Sequence, residues 1–383
     1  MQTSNARTPI NGNNGRIFVA VELSQRSWLV TMYSPDRDRI SRHKLEGGDH
    51  GGLLALIERV RERAQRALGS APAVVSCYEA GYDGFWLHRL LTAAGITNHV
   101  LDPASIAVDQ RARRTKTDRI DGEQLLRTLM AHCRGEPRVV RVVRAPSPEQ
   151  EDARRDTRER ERLTKEQGGH TNRIKSLLRL LGMAVGNPRR RDWLEWLARQ
   201  RDWQGQPVPP HLLAELKREH GRLMLVREQL AELEERPAPA TLTAAAAEMA
   251  RRSVLLFRLK ALGPAFSGTL TNEVFYKDFR NRREVGGYFG LGGSPWQSGG
   301  TDREQGISKA GNRRGRHAAV ELAWLWVRHQ PDSALSQWFR ERTANASKRF
   351  KRIAIVALAR KLMVALWRYL TTGLIPQGAL LKA

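Results

Sequence analysis

The residues best equipped for chemistry lie between Arg111 and Leu126, RARRTKTDRIDGEQLL. Arg111, Arg113, Arg114, Lys116 and Arg119 can hold a phosphate backbone. Asp118 and Asp121 stand three apart where a helix is predicted to start, which puts both carboxylates on one helical face. Clustered carboxylates can hold the metal ion that assists cutting of a phosphodiester. Two further acids close apolar strands, Glu22 after IFVAV (17–21) and Glu79 after AVVSCY (73–78). Magnesium prefers oxygen ligands and keeps several waters, so Glu22, Glu79, Asp118 and Asp121 form a suitable set, with Mn2+ as the alternative ion. Each acid also has a purely structural alternative. Glu22 can end a strand or pair with an arginine, and Asp118 and Asp121 can be an N-cap and an N3 residue favoured by the helix dipole. What favours metal binding is their joint occurrence in a very basic chain. Gly122, unfavourable inside a helix, points to a close approach there.

A second candidate lies in SPWQSGGTDREQGISKAGNRRGR (294–316). Ser294, Ser298 and Ser308 sit among glycines, and Lys309, Arg313, Arg314 and Arg316 could neutralise a phosphate in the transition state. On composition alone this reads as a flexible Gly/Ser loop between helices, with no histidine close in sequence to act as base. The tryptophans, Trp193, Trp196, Trp203, Trp324, Trp326, Trp338 and Trp367, fall mostly at helical spacing and read as core.

The elements that must position these groups follow from periodicity. IFVAVEL (17–23) is apolar on both faces, the mark of a central strand. Ser27–Tyr33 and Arg39–Leu45 read as a hairpin around SPDRD. A helix over 53–68, the strand 73–79, a helix from about 83 to 94 and a strand 96–102 follow. That alternation predicts a mixed, mainly parallel sheet with crossover helices, whose ligands gather beyond the carboxyl ends of the strands. From Pro146 the chain turns helical. Residues 149–182 are dense in both charge signs and read as a largely solvated helix or coiled-coil arm; 211–235 carries a regular leucine stripe. LKALGPAFSGTLTNEV (259–274) loosely resembles a helix-hairpin-helix, and a helix over about 347–370 has the stripe Ile355, Leu358, Leu362, Leu366 and Leu370. The domains expected are a disordered 1–15, an α/β domain 16–145, a helical or coiled-coil region 146–258 and a mainly α domain 259–383.

The net charge is +25 over 383 residues, which points to a polyanionic partner rather than a small substrate. Cys77 and Cys133 form no CxxC pattern, so neither a zinc ribbon nor a disulfide framework is expected. No signal peptide and no apolar run of about 18 residues is seen, so no membrane partner and a cytoplasmic location are expected.

Four blocks in order, VAVELSQRSW, CYEAGYDGFWLHRLL, VLDPASIAVDQRARRTKTDRIDGEQLL and YFGLGGSPWQSGGTDREQGISKAGNRR, resemble the DEDD-type insertion-sequence transposases, which are bridge-RNA-guided recombinases. The resemblance covers both ends of the chain; about 145–258 matches only as a helical region. It implies a RuvC-like, RNase H-type N-terminal domain in which Glu22, Glu79, Asp118 and Asp121 bind Mg2+. It implies a C-terminal transposase domain with Ser298 as nucleophile. It further implies donor and target DNA, a structured noncoding guide RNA, and a homo-oligomer, dimer or tetramer, sharing acids and serine between subunits. The setting would be the bacterial cytoplasm, at the nucleoid. The sequence departs from the family pattern at Glu22, where the first acid is usually aspartate, and at Leu262-Gly263-Pro264, where a G-x-G turn is more typical. The residues leave two other readings open: a junction nuclease cutting with metal-activated water alone, and a non-catalytic RNA- or DNA-binding protein.

Overall fold

The computed structural model describes residues 15–106, 118–235, 243–298 and 300–382, without the side chains at 118–120, 298, 301 and 304. The stretch expected to be disordered, 1–15, thus lies outside the described residues except for Gly15. The chain divides into two compact units, Met1–Pro146 and Ser147–Ala383.

In the first unit, β1 (Ile17–Glu22), β2 (Ser27–Ser34), β3 (Arg39–Glu46), β4 (Val74–Glu79), β5 (Thr97–Leu101) and β6 (Val142–Val143) form one sheet in the order β3-β2-β1-β4-β5-β6. β1, β4 and β5 run parallel, while β2, β3 and β6 pair antiparallel with their neighbours. This is the mixed α/β sheet of the RuvC-like class. β1 is central and buried along Ile17–Val21, as its double apolar face requires. β3 is the outer strand, and its exposure alternates along its length.

Three helices cover the sheet. α1 (His50–Leu68), capped by Asp49, and α2 (Trp86–Ala93) lie on the face of Ile17, Val19, Val21 and Tyr78. α3 (Asp118–Cys133) packs Leu125, Leu126, Leu129 and Met130 against Phe18, Ala20, Val75 and Cys77 on the other face. Each such leucine withdrawn from water contributes about 1.5–3 kcal/mol.

The second unit is mainly helical. α4 (Pro148–Arg179) starts in a capping box between Ser147 and Gln150. α5 (Trp193–Ala198) and α6 (Pro210–Glu235) follow. α4 and α6 lie antiparallel: Arg160 meets Glu234 at 3.3 Å, His170 meets Glu219 at 2.7 Å and Arg173 meets Glu215 at 2.7 Å. Ile174, Leu177 and Leu178 close that pair against Leu216, Leu223 and Trp193.

The remaining elements are α7 (Ala244–Phe257), α8 (Pro264–Glu273), α9 (Arg282–Tyr288), β7 (Gly293–Ser298), β8 (Thr301–Ile307), α10 (Arg313–His329), α11 (Ala334–Thr343) and α12 (Lys348–Thr372). α12 buries the stripe read from the sequence, with Leu358, Leu362 and Leu366 fully enclosed.

Two expectations need correction. The stretch around Ser298 is not a structureless loop, because β7 and β8 pair as an antiparallel hairpin. α4 is also less solvated than its charge implied. Gln150 and Arg154 are buried, Arg154 Nε donates to the Asn272 carbonyl at 2.9 Å, and its guanidinium stacks 4.1 Å over the Tyr276 ring. Trp193 and Trp326 are core as expected, whereas Trp203 is exposed.

Candidate active site

The geometry of the acids follows from strand register. β1 and β4 pair in parallel, Ile17 with Val74 through Val21 with Tyr78, so Glu22 and Glu79 are the next residues side by side at the carboxyl ends. Side chains alternate along a strand, so Glu22 shares a face with Phe18 and Ala20, and Glu79 with Val75 and Cys77. That is the face α3 covers.

α3 reaches the same corner from above. A Cβ built on Gly122 would lie 2.6 Å from Thr31 Oγ1 and 3.4 Å from Leu29 Cδ2. Leu29 and Thr31 are the β2 partners of Glu22 and Ala20. The first turn of α3 therefore rests one strand away from Glu22, and the missing side chain of Gly122 permits that approach. Asp121 comes with it. Its Oδ2 is buried and has no hydrogen-bond partner among the described residues. Stranding a carboxylate oxygen costs several kcal/mol unless a cation or donor compensates.

Glu22, Glu79 and Asp121 thus share one face and one end of the sheet, and α3 begins at Asp118. Among the described residues no three His, Cys, Asp or Glu side chains close on a common point at metal distance. The Asp118 and Arg119 side chains are not described, and Arg111, Arg113, Arg114 and Lys116 lie outside the described residues. The donor set consists of carboxylate oxygens alone, with one left over in a buried position. That chemistry fits a hard divalent cation.

The loop after Glu79 is pinned at both ends: Ala80 N–H donates to the Leu101 carbonyl at 2.8 Å, and the Tyr78 hydroxyl donates to the Gly84 carbonyl at 3.0 Å. Cys77 and Cys133 are free thiols, and burial pushes the Cys77 thiol up, which makes it inert.

In the second unit Ser298 is the last residue of β7, paired with Thr301 across the hairpin end. The base of the hairpin is tied to α9 and α10. Ser308 N–H donates to the Gly292 carbonyl at 2.8 Å, Lys309 N–H to Gly290 at 3.1 Å and Asn312 N–H to Tyr288 at 2.8 Å. Gly311 has φ +119°, and a Cβ there would strike the Tyr288 carbonyl, so only glycine fits. Asn312 caps α10 by accepting from Gly315 N–H at 2.8 Å, and its Nδ2 donates to the Glu273 carbonyl at 2.9 Å.

The candidate phosphate-binding cations divide. Lys309 and Arg313 are exposed. Arg314 pairs with Glu161 at 2.8 Å. Arg316 Nη1 donates to the Phe289 and Lys309 carbonyls, both at 3.0 Å, and so fastens the turn.

Sequence reasoning missed the hairpin and α11. The hairpin had a signal: Gly299-Gly300 between two polar, extended runs fits a two-residue connection. No helix among the described residues is long and apolar enough to cross a membrane.

Comparison with known proteins identifies the family. Residues 254–338 match the profile described as "Transposase IS116/IS110/IS902 family". The chain is 45% identical over 387 residues to "Putative transposase y4rJ" of Sinorhizobium fredii, covering 98% of this chain and 97% of that protein. It is also 26% identical over 339 residues to "Putative transposase y4qE" of the same organism, covering 87% of this chain and 77% of that one. With 45% identity over nearly the whole of both chains and the profile match in its C-terminal part, the chain belongs to the IS116/IS110/IS902 family of transposases.

Proposed function

We propose that the protein cuts and rejoins DNA strands through Ser298, assisted by Mg2+ held by Glu22, Glu79, Asp118 and Asp121, at sites chosen by a structured noncoding RNA. The observation that carries the metal assignment is the corner where Glu22 and Glu79 end paired parallel strands beneath the turn bearing Asp121, whose Oδ2 is buried without a partner. When bound there, the cation supplies positive charge to the phosphoryl oxygens of the reacting strand.

The chain's own residues do the rest. Ser298 Oγ attacks phosphorus and gives up its proton to water, the new Oγ–P bond replaces the bond to the departing sugar oxygen, and that oxygen takes a proton from water and leaves as a hydroxyl. The phosphoserine ester retains the bond energy, so a second sugar hydroxyl can reverse the step on a new strand. Lys309 and Arg313, exposed at the hairpin base, stabilise the charge that builds on the phosphate. Support for RNA guidance is the family resemblance and the net charge of +25.

A covalent-adduct assay on a nicked or mismatched DNA that traps the intermediate tests this reading. The wild-type chain yields a protein–DNA adduct in the presence of guide RNA and Mg2+, and Ser298→Ala yields none while still binding DNA. An adduct from Ser298→Ala would overturn the nucleophile, and equal cleavage by RNA-free protein would overturn the guidance. Asp121→Asn is expected to lose Mg2+-dependent cleavage with DNA binding intact; unchanged cleavage removes it from the site.

A further inference from the structure

Asp121 reaches the acid corner only if α3 is rolled correctly about its own axis, and three consecutive residues show what sets that roll. Successive residues of an α-helix point about 100° apart. Gly122 faces down onto β2, where a Cβ would meet Thr31 Oγ1 at 2.6 Å. Glu123, one step round the helix, forms an ion pair with Arg42 on β3. Arg42 is the cross-strand partner of Thr31, and Thr31 that of Ala20, so the line Ala20, Thr31, Arg42 crosses the sheet beneath the helix. With Gly122 over β2 and Glu123 turned toward β3, Asp121 lies on the opposite flank. That flank faces β1 and β4, where Glu22 and Glu79 end.

The apolar packing of α3 does not fix the roll at this end. Leu125, Leu126, Leu129 and Met130 bury the later turns, and the turn from Asp118 to Asp121 precedes the first of them. Gly122 permits the close approach but has no side chain to resist rotation. Among the described residues, the ion pair with Arg42 ties this end of α3 to β3. Arg127, the other cation near Glu123, lies at 3.9 Å on the same helix and so cannot hold it against the sheet. The Arg42 and Glu123 side chains keep 34% and 25% exposure, so the pair adds little to global stability. Its leverage is geometric. A group about 5 Å from the helix axis moves by about 1.7 Å for a roll of about 20°. A misplacement of about 1 Å already costs as much as a hundredfold in rate.

We infer that Arg42 is a positioning residue for the acid site: through Glu123 it fixes the roll of α3 and so aims Asp121 at the corner formed by Glu22 and Glu79. Arg42 stands on the outermost strand, two strands from Glu22, and acts through the helix. The inference rests on the proposed metal site for what Asp121 does at the corner; control of the roll does not depend on the metal or on Ser298.

The test titrates the full chain with Mn2+ alone, the free ion being read by electron paramagnetic resonance, and follows hydrogen exchange of residues 118–124 by mass spectrometry. Arg42→Met and Glu123→Gln are each expected to weaken Mn2+ binding about tenfold. Each is also expected to speed exchange of that segment about threefold or more, with the melting temperature within about 2 °C of wild type. The double variant loses no more than either single one, because both remove the same contact. Arg42→Lys, which keeps the charge, and the exchanged pair Arg42→Glu, Glu123→Arg are expected to recover both readouts to within about threefold of wild type. A pair with a merely structural role would lower the melting temperature and leave Mn2+ affinity in place. Unchanged exchange in Arg42→Met, unchanged Mn2+ affinity in that variant where wild type binds the ion, or an exchanged pair that recovers neither readout overturns the inference. Failure of the metal reading registers separately, as wild-type chain that binds Mn2+ no better than Asp121→Asn; the exchange rates then decide the roll by themselves.

Discussion

Gly122→Ala is the most informative single perturbation of the acid site, because two opposing effects can both be sized. In an exposed helix the change would stabilise by about 1 kcal/mol. Here the new Cβ would sit 2.6 Å from Thr31 Oγ1, about 0.8 Å short of ordinary contact at 3.4 Å. Overpacking of that kind costs about 1–3 kcal/mol. The net expectation is a loss of about 1 kcal/mol, a fall in melting temperature of about 2–4 °C. The effect on cleavage should be larger than the effect on stability. Relieving the clash pushes the first turn of α3 away from β2, and Asp121 moves with it; misplacement of a catalytic group by about 1 Å costs as much as a hundredfold in rate. Thr31→Ala supplies the rescue. Thr31 Oγ1 is buried with no hydrogen-bond partner, so its removal strands nothing and clears the atom that Cβ strikes. Calorimetry and adduct formation on the two single variants and the double then form a thermodynamic cycle, with a favourable coupling of about 1–2 kcal/mol expected. If Gly122→Ala melts higher than wild type and cleaves as fast, α3 does not approach the sheet here and the placement of Asp121 is wrong.

Two further expectations can be read from stability. Arg158→Met should destabilise the second unit by roughly 3 kcal/mol at neutral pH, because it leaves the buried Glu273 carboxylate without its main partner. The Glu273 pKa is lowered from 4.5 in the folded chain, so the pair's contribution is complete above that value and disappears as pH falls through the folded pKa; the gap between the two melting curves should close in acid. Asn312→Ala should cost about 1–2 kcal/mol by removing the α10 cap and the bond to the Glu273 carbonyl, whereas Asn312→Asp, which keeps the cap, should cost less; equal losses would show that the cap is not what matters.

Much of the first unit was legible because its signals are local. IFVAV has two apolar faces and therefore lies inside a sheet; the acid after it therefore lies at a strand end. Gly122 advertised a close contact before the partner, Thr31, could be named. The leucine stripe of α12 was equally plain. The second unit hid what depends on distant partners. Arg154 looks like one more charge on a solvated helix, yet it is buried by Tyr276 and a carbonyl of α8, more than a hundred residues later, and no periodicity in 149–182 records that. The hairpin was masked because Ser, Gly and Gln give neither strand nor helix a strong preference. It forms because its two ends are fastened outside it.

That fastening bears on how motif residues should be read. The block that ends ISKAGNRRGR resembles a catalytic signature, and by type its cations and glycines could all serve a phosphate. In the fold they separate by duty. Gly311 and Asn312 join the hairpin to α9 and cap α10; Arg316 spends its guanidinium on two carbonyls; Tyr288, kept protonated by burial, donates to the Glu273 carbonyl beside Asn312. Only Lys309, Arg313 and Arg314 present charge outward, and Arg314 is already engaged with Glu161. If Ser298 is the nucleophile proposed above, it needs this division to meet a scissile phosphate in register. The base of the hairpin is held by backbone hydrogen bonds on both strands, so its end needs no side chain to fasten it. Replacing Arg316 should therefore act through the position of Ser298 and not through the salt dependence of DNA binding, whereas replacing Arg313 should do the reverse.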